Sequence, residues 1–224
     1  MMFLEKGHIY HIYNQGNNRQ KIFFNRENYF FFLGKMKEYI LPYADIMAWC
    51  LMPNHFHWMV YVRETDIFRS RGATQSRTPT NSGPSANATI SSDNSQSRTP
   101  TISDNISFNK SIGILLASYT RAINNQENIT GSLFREKTKA ECLTAFNGIT
   151  PSFFNTEFGT IMNIPDPEKE YPQICFNYIH NNPVKAGLVK SAEDWEFSSC
   201  QDICGMRNGK LINRERINEF GLTF

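Results

Sequence analysis

Two histidines separated by a single residue begin an alternating stretch that constrains the fold of this chain more than any other feature. After His55, every second residue is apolar, namely Phe56, Trp58 and Val60. Successive side chains of a β-strand point to opposite faces, so these apolar residues share one face while His55 and His57 share the other. The sequence therefore predicts a strand with a hydrophobic core on one side and two imidazoles, able to hold one divalent cation, on the other.

The composition is that of an ordinary globular protein. Of the 224 residues, 40% are hydrophobic and 13% are aromatic, so we expect one core and a single domain over residues 1–224. No apolar run reaches the roughly 18 residues of a membrane span, and no signal peptide is recognisable, which predicts a cytoplasmic protein without a membrane partner. The five cysteines form no CxxC pair, which argues against a disulfide framework and a thiolate zinc site.

Charge leaves two interpretations open. The net charge of +2 does not by itself indicate a nucleic-acid binder, but residues 107–140 hold five cations against two carboxylates. Such a surface is either ordinary solvated protein or a surface that contacts phosphates, which position a nucleic acid without reading its sequence. The candidate DNA-binding residues are Arg19, Lys110, Arg121, Arg135, Lys137 and Lys185.

Strand-forming residues with turn-forming borders appear in three places. They cover residues 8–14, residues 46–51 and the segment that begins at His55. The Pro53-Asn54 dipeptide is a turn signal, so the second and third strands are expected to pair antiparallel. Residues 132–140 are expected to be extended as a fourth strand or an ordered arm.

Apolar residues three and four positions apart predict three helices packed on this sheet. Asn25 is a candidate cap for the first helix, and Ser107 or Asn109 for the second. The third helix is expected to carry Pro172 in its first turn and to end near Pro183.

Between the histidine strand and the second helix the composition changes to Ser, Thr, Asn, Gly and Pro. Residues 64–106 have too few apolar side chains to offset the entropy of ordering the chain, so we expect a disordered insertion. A hexapeptide at residues 75–80 is repeated at 96–101, which is low complexity rather than a structural repeat. Residues 190–224 form a C-terminal tail for which the sequence predicts no chemistry.

Tyr178 and Asn182 are the second place where the sequence indicates chemistry. On a helix these residues lie one turn apart on one face, whereas His180 points away from both. Asn182 precedes Pro183 and is expected at the frayed end of the helix, with its side chain free to reach a metal. Two imidazoles and one amide oxygen leave coordination positions open and suit Mg²⁺ or Mn²⁺ better than structural zinc.

Such a site could act on a phosphodiester. The cation would polarise the phosphate while the Tyr178 hydroxyl attacks phosphorus, which gives a phosphotyrosine linkage. Tyr119 is a rival nucleophile, because it also lies on a predicted helix near cations. The sequence offers no obvious general base.

Both segments resemble a known protein family. Residues 52–57, MPNHFH, resemble the HUH motif of the single-stranded-DNA tyrosine transposases, and residues 178–187, YIHNNPVKAG, resemble the tyrosine segment of their REP-associated branch. Shorter matches outside the insertion lie at residues 10–12, 16–19, 22–23, 131–134 and 195–199.

The resemblance implies an α+β fold with a ferredoxin-like core and a central antiparallel sheet. It also implies metal-dependent cutting and rejoining of single-stranded DNA beside a hairpin-forming repeat, with Tyr178 joined to the 5′ phosphate. His55, His57 and Asn182 would be the metal ligands, and the protein would be a monomer or a homodimer. Two alternatives stay open, a catalytically inactive protein of the same fold that binds structured nucleic acid, and a metal-dependent hydrolase that uses water.

Overall fold

The computed structural model describes residues 3–69, 104–144, 153–156, 159–162 and 167–224. Four strands form the central sheet, four shorter ones form two separate pairs, and the helices pack around the sheet. The elements are β1 (Ile9–Gln15), α1 (Arg26–Tyr39), β2 (Ala44–Met52), β3 (His55–Val62), β4 (Asp66–Arg69), β5 (Asp104–Ser107), α2 (Phe108–Glu127), β6 (Lys139–Cys142), β7 (Phe153–Thr156), β8 (Gly159–Met162), α3 (Pro167–Lys185), α4 (Cys200–Ile203) and α5 (Arg214–Glu219).

The central sheet has the strand order β2-β3-β1-β6, and all its neighbouring strands are antiparallel. With α1 between β1 and β2 and α2 between β3 and β6, this is the split β-α-β arrangement of a ferredoxin-like core. The predicted fold class is confirmed. Of the residues 132–140 that were expected to be extended, only Lys139 and Ala140 belong to a strand, β6, and Phe134 forms an isolated bridge with Gly16, the residue after β1.

Alternation along the strands gives the sheet two different faces. On the first face, the rings of Phe56 and Trp58 lie 5.4 and 5.9 Å from the ring of Phe32 of α1. The ring of Tyr119, on α2, lies 4.8 Å from that of Phe32. All four residues are fully buried, so this aromatic face is the hydrophobic core. The opposite face carries the histidines, and α3 packs against β2 and β3.

The predicted caps of the first two helices are confirmed. The Asn25 side chain accepts a hydrogen bond from the Asn28 backbone N–H, and the Asn28 side chain accepts one from the Asn25 backbone N–H, which together form a capping box. Ser107 caps α2 by accepting from the backbone N–H of Lys110. Each cap satisfies a backbone donor that has no partner within the helix.

The third helix differs from the prediction at its start. It begins at Pro167, so Pro172 lies inside it rather than in the first turn, and it continues through Pro183 to Lys185. A proline removes one backbone donor, and at Pro183 the loss falls within the last turn, where the helix is ending. Gly187, at φ +68°, follows the C-terminus of the helix, and its backbone N–H donates to the Val184 carbonyl at 2.9 Å. Asn182 is therefore held within the helix rather than at a frayed end.

The segment predicted as an insertion is described only at its ends. There β4 and β5 pair antiparallel, from Asp66 opposite Ser107 to Arg69 opposite Asp104. Residues 70–103, for which the sequence predicts disorder, lie outside the described residues.

The C-terminal residues 190–224 pack along β2. The backbone N–H of Leu51 donates to the Phe197 carbonyl at 2.8 Å, and that of Asn213 donates to the Ile46 carbonyl at 2.8 Å. This segment therefore covers a sheet edge whose backbone groups would otherwise be open to pairing with another chain. None of the described helices is both long and apolar enough to span a membrane.

Candidate functional site

The polar side chains on the second face come together through the register of three neighbouring strands. His57 of β3 lies opposite Tyr13 of β1, which in turn lies opposite Lys139 of β6. Two residues along β1, His11 lies opposite Glu141. Because alternate residues share a face, these five side chains lie together on the face opposite the aromatic core. We call this the histidine face.

His57 has one paired and one unpaired ring nitrogen. Its Nδ1 lies 2.9 Å from Nε2 of His11, and the two rings are stacked with centroids 5.1 Å apart. Its Nε2 is buried and has no hydrogen-bond partner among the residues that the structure describes. Burial, with smaller effects of His11 and His55, lowers the pKa of His57 well below its usual value. The ring is therefore neutral and carries a single proton.

The surroundings of His11 indicate where that proton lies. Burial lowers the pKa of His11 to about 3, so this ring is neutral too. Its Nδ1 faces the Glu141 carboxylate at 3.9 Å, which favours a proton on that nitrogen. Nε2 of His11 then accepts from Nδ1–H of His57, and Nε2 of His57 keeps a free lone pair.

His55 faces an amide oxygen on each side. Its Nδ1 lies 2.6 Å from Oδ1 of Asn54, and its Nε2 lies 3.3 Å from Oδ1 of Asn182. Burial lowers the pKa of His55, against a smaller opposing effect of Asn182, and a neutral ring donates only one hydrogen bond. With the proton at the shorter contact, a nitrogen lone pair faces the oxygen lone pairs of Asn182. A cation between those two atoms would satisfy both.

The predicted ligands thus lie close together and fit a divalent cation. The ring centroids of His55 and His57 are 5.0 Å apart, and the donor set is two imidazole nitrogens and one amide oxygen. No group of three or more His, Cys, Asp or Glu side chains suited to a metal occurs in the described ranges. The third oxygen or nitrogen donor near the two histidines is the amide oxygen of Asn182, 3.3 Å from Nε2 of His55.

Tyr178 lies beside the two stacked histidines. Its ring centroid is 5.3 Å from that of His57 and 6.0 Å from that of His11. Burial raises the pKa of Tyr178, while a hydrogen bond with Asn182 acts in the opposite direction. The Lys185 ammonium lies 5.6 Å from the centre of the Tyr178 ring, within the range of a cation–π contact.

The other side of α3 packs into the protein interior. His180 is fully buried there, and its Nε2 lies 2.7 Å from Oγ of Ser199. The helix therefore separates Tyr178 and Asn182 from His180, as the helical spacing predicts.

Tyr119, the alternative nucleophile, lies on the aromatic face of the sheet and not on the histidine face. Tyr119 is fully buried, and its hydroxyl donates to the Ile22 carbonyl at 2.7 Å. Burial raises its pKa far above the ordinary value. A phenol that is packed in the aromatic core and already donating cannot reach a substrate, so Tyr119 is not a candidate nucleophile.

A small cavity of about 190 Å³ lies over the site, and Tyr178 lines it together with both histidines of the β3 motif. Three cations also line it, and of these Arg135 and Lys137 were predicted from the sequence whereas Lys139 was not. Lys185 lies beside Tyr178, and Arg121 lines an adjoining groove. The remaining two DNA-binding candidates, Arg19 and Lys110, line neither cavity.

Sequence reasoning missed the residues behind the two ligands. His11 and Tyr13 alternate in the first strand, which places them on one face. The pairing of that strand with β3 and β6 brings them to the site, together with Glu141, which accepts a hydrogen bond from the Tyr13 hydroxyl at 2.6 Å. The alternation was the available signal, but strand order and register cannot be read from it.

Comparison with known proteins gives limited information. No protein-family model and no curated protein matches this chain. Among solved structures, the chain is similar to a REP-associated tyrosine transposase bound to a REP hairpin, with a TM-score of 0.49 and 16% identity. The similarity covers 91% of this chain and 82% of that one. The assignment of function therefore depends on the side chains of the site itself.

Proposed function

We propose that this protein cuts and rejoins single-stranded DNA, with Tyr178 as the nucleophile. A divalent cation, Mg²⁺ or Mn²⁺, would be held by His55, His57 and Asn182. The observation that carries the proposal is the buried Nε2 of His57, which has no partner in the described structure and lies in a ring 5.3 Å from that of Tyr178. A buried polar atom without a partner costs about 1–3 kcal/mol, and a bound cation would remove that cost.

The charge around the cavity supports a phosphodiester as the substrate. Arg135, Lys137 and Lys139 line the cavity, and none of the carboxylates that the structure describes does. Cations so placed attract a phosphate and hold its oxygens by charge-assisted hydrogen bonds. When bound, the divalent cation would act as a Lewis acid on a phosphate oxygen.

The reaction proposed for Tyr178 is a phosphoryl transfer. Its hydroxyl oxygen forms a bond to phosphorus, the bond from phosphorus to the 3′ oxygen breaks, and the leaving oxygen takes up a proton. The products are a 5′-phosphotyrosine and a free 3′ hydroxyl. Attack of a 3′ hydroxyl on the phosphotyrosine reverses the step and rejoins DNA, so rejoining needs no separate energy source.

Two neighbours help Tyr178 to lose its proton. Burial raises the pKa of Tyr178, so its hydroxyl is protonated at neutral pH. The hydrogen bond with Asn182 lowers the pKa, and the Lys185 ammonium, 5.6 Å from the centre of the ring, would favour the phenolate electrostatically.

A chain of hydrogen bonds and charges behind the site would orient His57. Tyr13 donates to Glu141, whose carboxylate faces Nδ1 of His11, and Nε2 of His11 accepts from Nδ1–H of His57. This order fixes the tautomer in which Nε2 of His57 carries the lone pair. Residues placed behind a metal-binding histidine commonly raise its affinity for the metal in this way.

The motif resemblance extends the proposal to hairpin-forming repeats as the DNA target. One observation favours a second candidate, an inactive protein that binds structured nucleic acid. The burial that raises the pKa of Tyr178 opposes its activation, so DNA could bind in the cation-lined cavity without being cut.

A single experiment separates the two functions. A 3′-labelled stem-loop oligonucleotide with single-stranded flanks is incubated with the protein in Mg²⁺ or Mn²⁺, or in EDTA. We expect a covalent protein–DNA adduct on a denaturing gel, dependent on the metal and absent in Tyr178→Phe. Binding without an adduct would favour the inactive protein, and cleavage that survives Tyr178→Phe would favour a hydrolase that uses water.

A further inference from the structure

A larger groove adjoins the candidate site. It has a volume of about 660 Å³ and lies between residues 113–125 of α2 and residues 129–138. Asn14 and Arg135 line both this groove and the cavity over Tyr178. The two spaces therefore meet at these two residues, and a surface leads from the site to Arg121 on α2.

The volumes of the cavity and the groove indicate that a polymeric substrate would extend beyond the cavity over Tyr178. At about 190 Å³, the cavity over Tyr178 is smaller than the roughly 300–1,000 Å³ of typical ligand sites. The groove, at about 660 Å³, lies within that range. A polymer with one phosphate at Tyr178 would therefore continue past Arg135 into the groove.

Residues 129–138, which form one wall of the groove, are hydrogen-bonded to the rest of the protein at both ends. The Asn14 side chain donates to the Arg135 carbonyl at 3.1 Å and to the Thr138 hydroxyl at 2.9 Å. At the other end, the Asn124 side chain donates to the Gly131 carbonyl at 2.9 Å. The groove is thus preformed, which reduces the entropy lost when a flexible ligand binds.

The lining suits a sugar–phosphate chain. Among the described residues, the lining of the groove holds two cations, Arg121 and Arg135, and one carboxylate, Glu136. Neither arginine forms an ion pair with any other residue that the structure describes, so both guanidinium groups are available to grip a phosphate. The lining also offers apolar contacts for sugars or bases, from Leu116 and Ile129.

We propose that this groove binds the single-stranded DNA that continues from the cleavage site, with its phosphates on Arg121 and Arg135. The inference rests on the proposed function, since it takes its DNA from the site at Tyr178. It assigns the groove to the flank of the substrate rather than to the hairpin stem.

Binding can be measured without cleavage. Fluorescence anisotropy in EDTA, with Tyr178→Phe as the parent protein, compares a stem-loop that has no flank with stem-loops that carry a 5′ or a 3′ single-stranded flank. We expect one of the two flanks to tighten binding, and we expect Arg121→Glu to remove most of that gain, about tenfold or more. Loss of one phosphate contact should also lower the salt-dependence slope by about 0.7.

Lys37→Glu is the matched control, since it makes the same charge change at an exposed helix position, on α1, that lines neither the groove nor the cavity over Tyr178. It should leave the gain from the flank unchanged, and thermal unfolding should show that each variant is folded. The milder Arg121→Ala should give a smaller loss in the same direction. An equal effect of Arg121→Glu on flanked and unflanked DNA, or none on either, would overturn the groove assignment.

The two proposals can fail separately. A flank effect that depends on Arg121, in a protein that forms no adduct in Mg²⁺ or Mn²⁺, would support the groove and overturn cleavage. An adduct on flanked DNA that forms equally well in Arg121→Glu, together with an unchanged gain in binding from the flank, would support cleavage and overturn the groove assignment.

Discussion

The two faces of the central sheet use the same strands for opposite purposes. On the aromatic face, Phe56 and Trp58 are fully buried against α1, and the Tyr119 hydroxyl has its hydrogen-bond partner. On the histidine face, His57 borders a cavity lined by three cations. Alternate residues of β3 therefore face either the hydrophobic core or the candidate site. A register slip by one residue would turn each side chain to the opposite face.

Nitrogen atoms that are buried without a partner in the described structure occur on both faces, among them Nε1 of Trp58 on the aromatic face and Nε2 of His57 on the histidine face. The indole N–H can only donate a hydrogen bond, so it cannot bind a cation. The imidazole nitrogen can present a lone pair and is a common metal ligand. The unpaired indole nitrogen on the aromatic face therefore only costs stability, whereas the imidazole nitrogen on the histidine face has the chemistry of a metal ligand.

The largest expected difference is between the two tyrosines. Tyr178→Phe should reduce the covalent DNA adduct below detection without unfolding the protein, because it removes only the attacking oxygen. Tyr119→Phe should retain adduct formation per folded molecule and lose about 1 kcal/mol of stability with its hydrogen bond to Ile22. Adduct yield on denaturing gels and urea unfolding measure the two effects. An adduct lost in Tyr119→Phe and kept in Tyr178→Phe would reverse the assignment.

Phe56 and His57 are neighbours in β3 and point to opposite faces of the sheet, so substitutions at these two positions compare the faces within one strand. Phe56→Ala should lower the free energy of unfolding by about 3–5 kcal/mol, since it opens a cavity in the core. His57→Ala, and likewise His55→Ala, should lose metal-dependent cleavage while keeping most DNA binding, at a smaller cost in stability. Urea unfolding and the cleavage assay separate these outcomes, and normal cleavage in His57→Ala would remove the proposed metal site.

Local spacing in the sequence predicted much of the fold and the centre of the site. The alternation after His55 predicted strand β3 and its two faces, and the four-residue spacing of Tyr178 and Asn182 predicted a shared helix face. Both patterns are set by backbone geometry and need no knowledge of the rest of the chain.

What the sequence did not reveal depends on contacts between distant segments. His11 and Glu141 reach the site through strand pairing, and the hydrogen-bonded burial of Tyr119 depends on the packing of α2 over α1. The early start of α3 at Pro167 was missed because Pro172 is a common first-turn residue. Register and burial are set by the whole fold, so such residues become visible only in the structure.

A smaller effect, on metal affinity, is expected for His11, which lies behind the proposed ligand His57. His11→Phe keeps a ring against His57 but removes the acceptor of its Nδ1–H, so the tautomer is no longer fixed. We expect Mn²⁺ affinity, measured by isothermal titration calorimetry, to fall about 10–100-fold. His8→Phe is the matched control, because His8 contacts Thr144 away from the cavity, and it should bind Mn²⁺ normally. Unchanged affinity in His11→Phe would show that His11 only fills space.

The smallest effect is on the pH dependence of stability, where one residue packed on each face, Tyr29 and His11, should contribute with opposite sign. Burial raises the pKa of Tyr29, on α1, to about 12 and lowers that of His11 to about 3. Stability from the neutral phenol is lost as pH rises from 10 towards 12, and stability from the neutral imidazole is lost as pH falls from 6.5 towards 3. Within its window each group changes the free energy of unfolding by at most about 1.4 kcal/mol per pH unit. In urea unfolding with EDTA, Tyr29→Phe should flatten only the alkaline limb and His11→Phe only the acid limb, and a variant that flattens both limbs would contradict this separation.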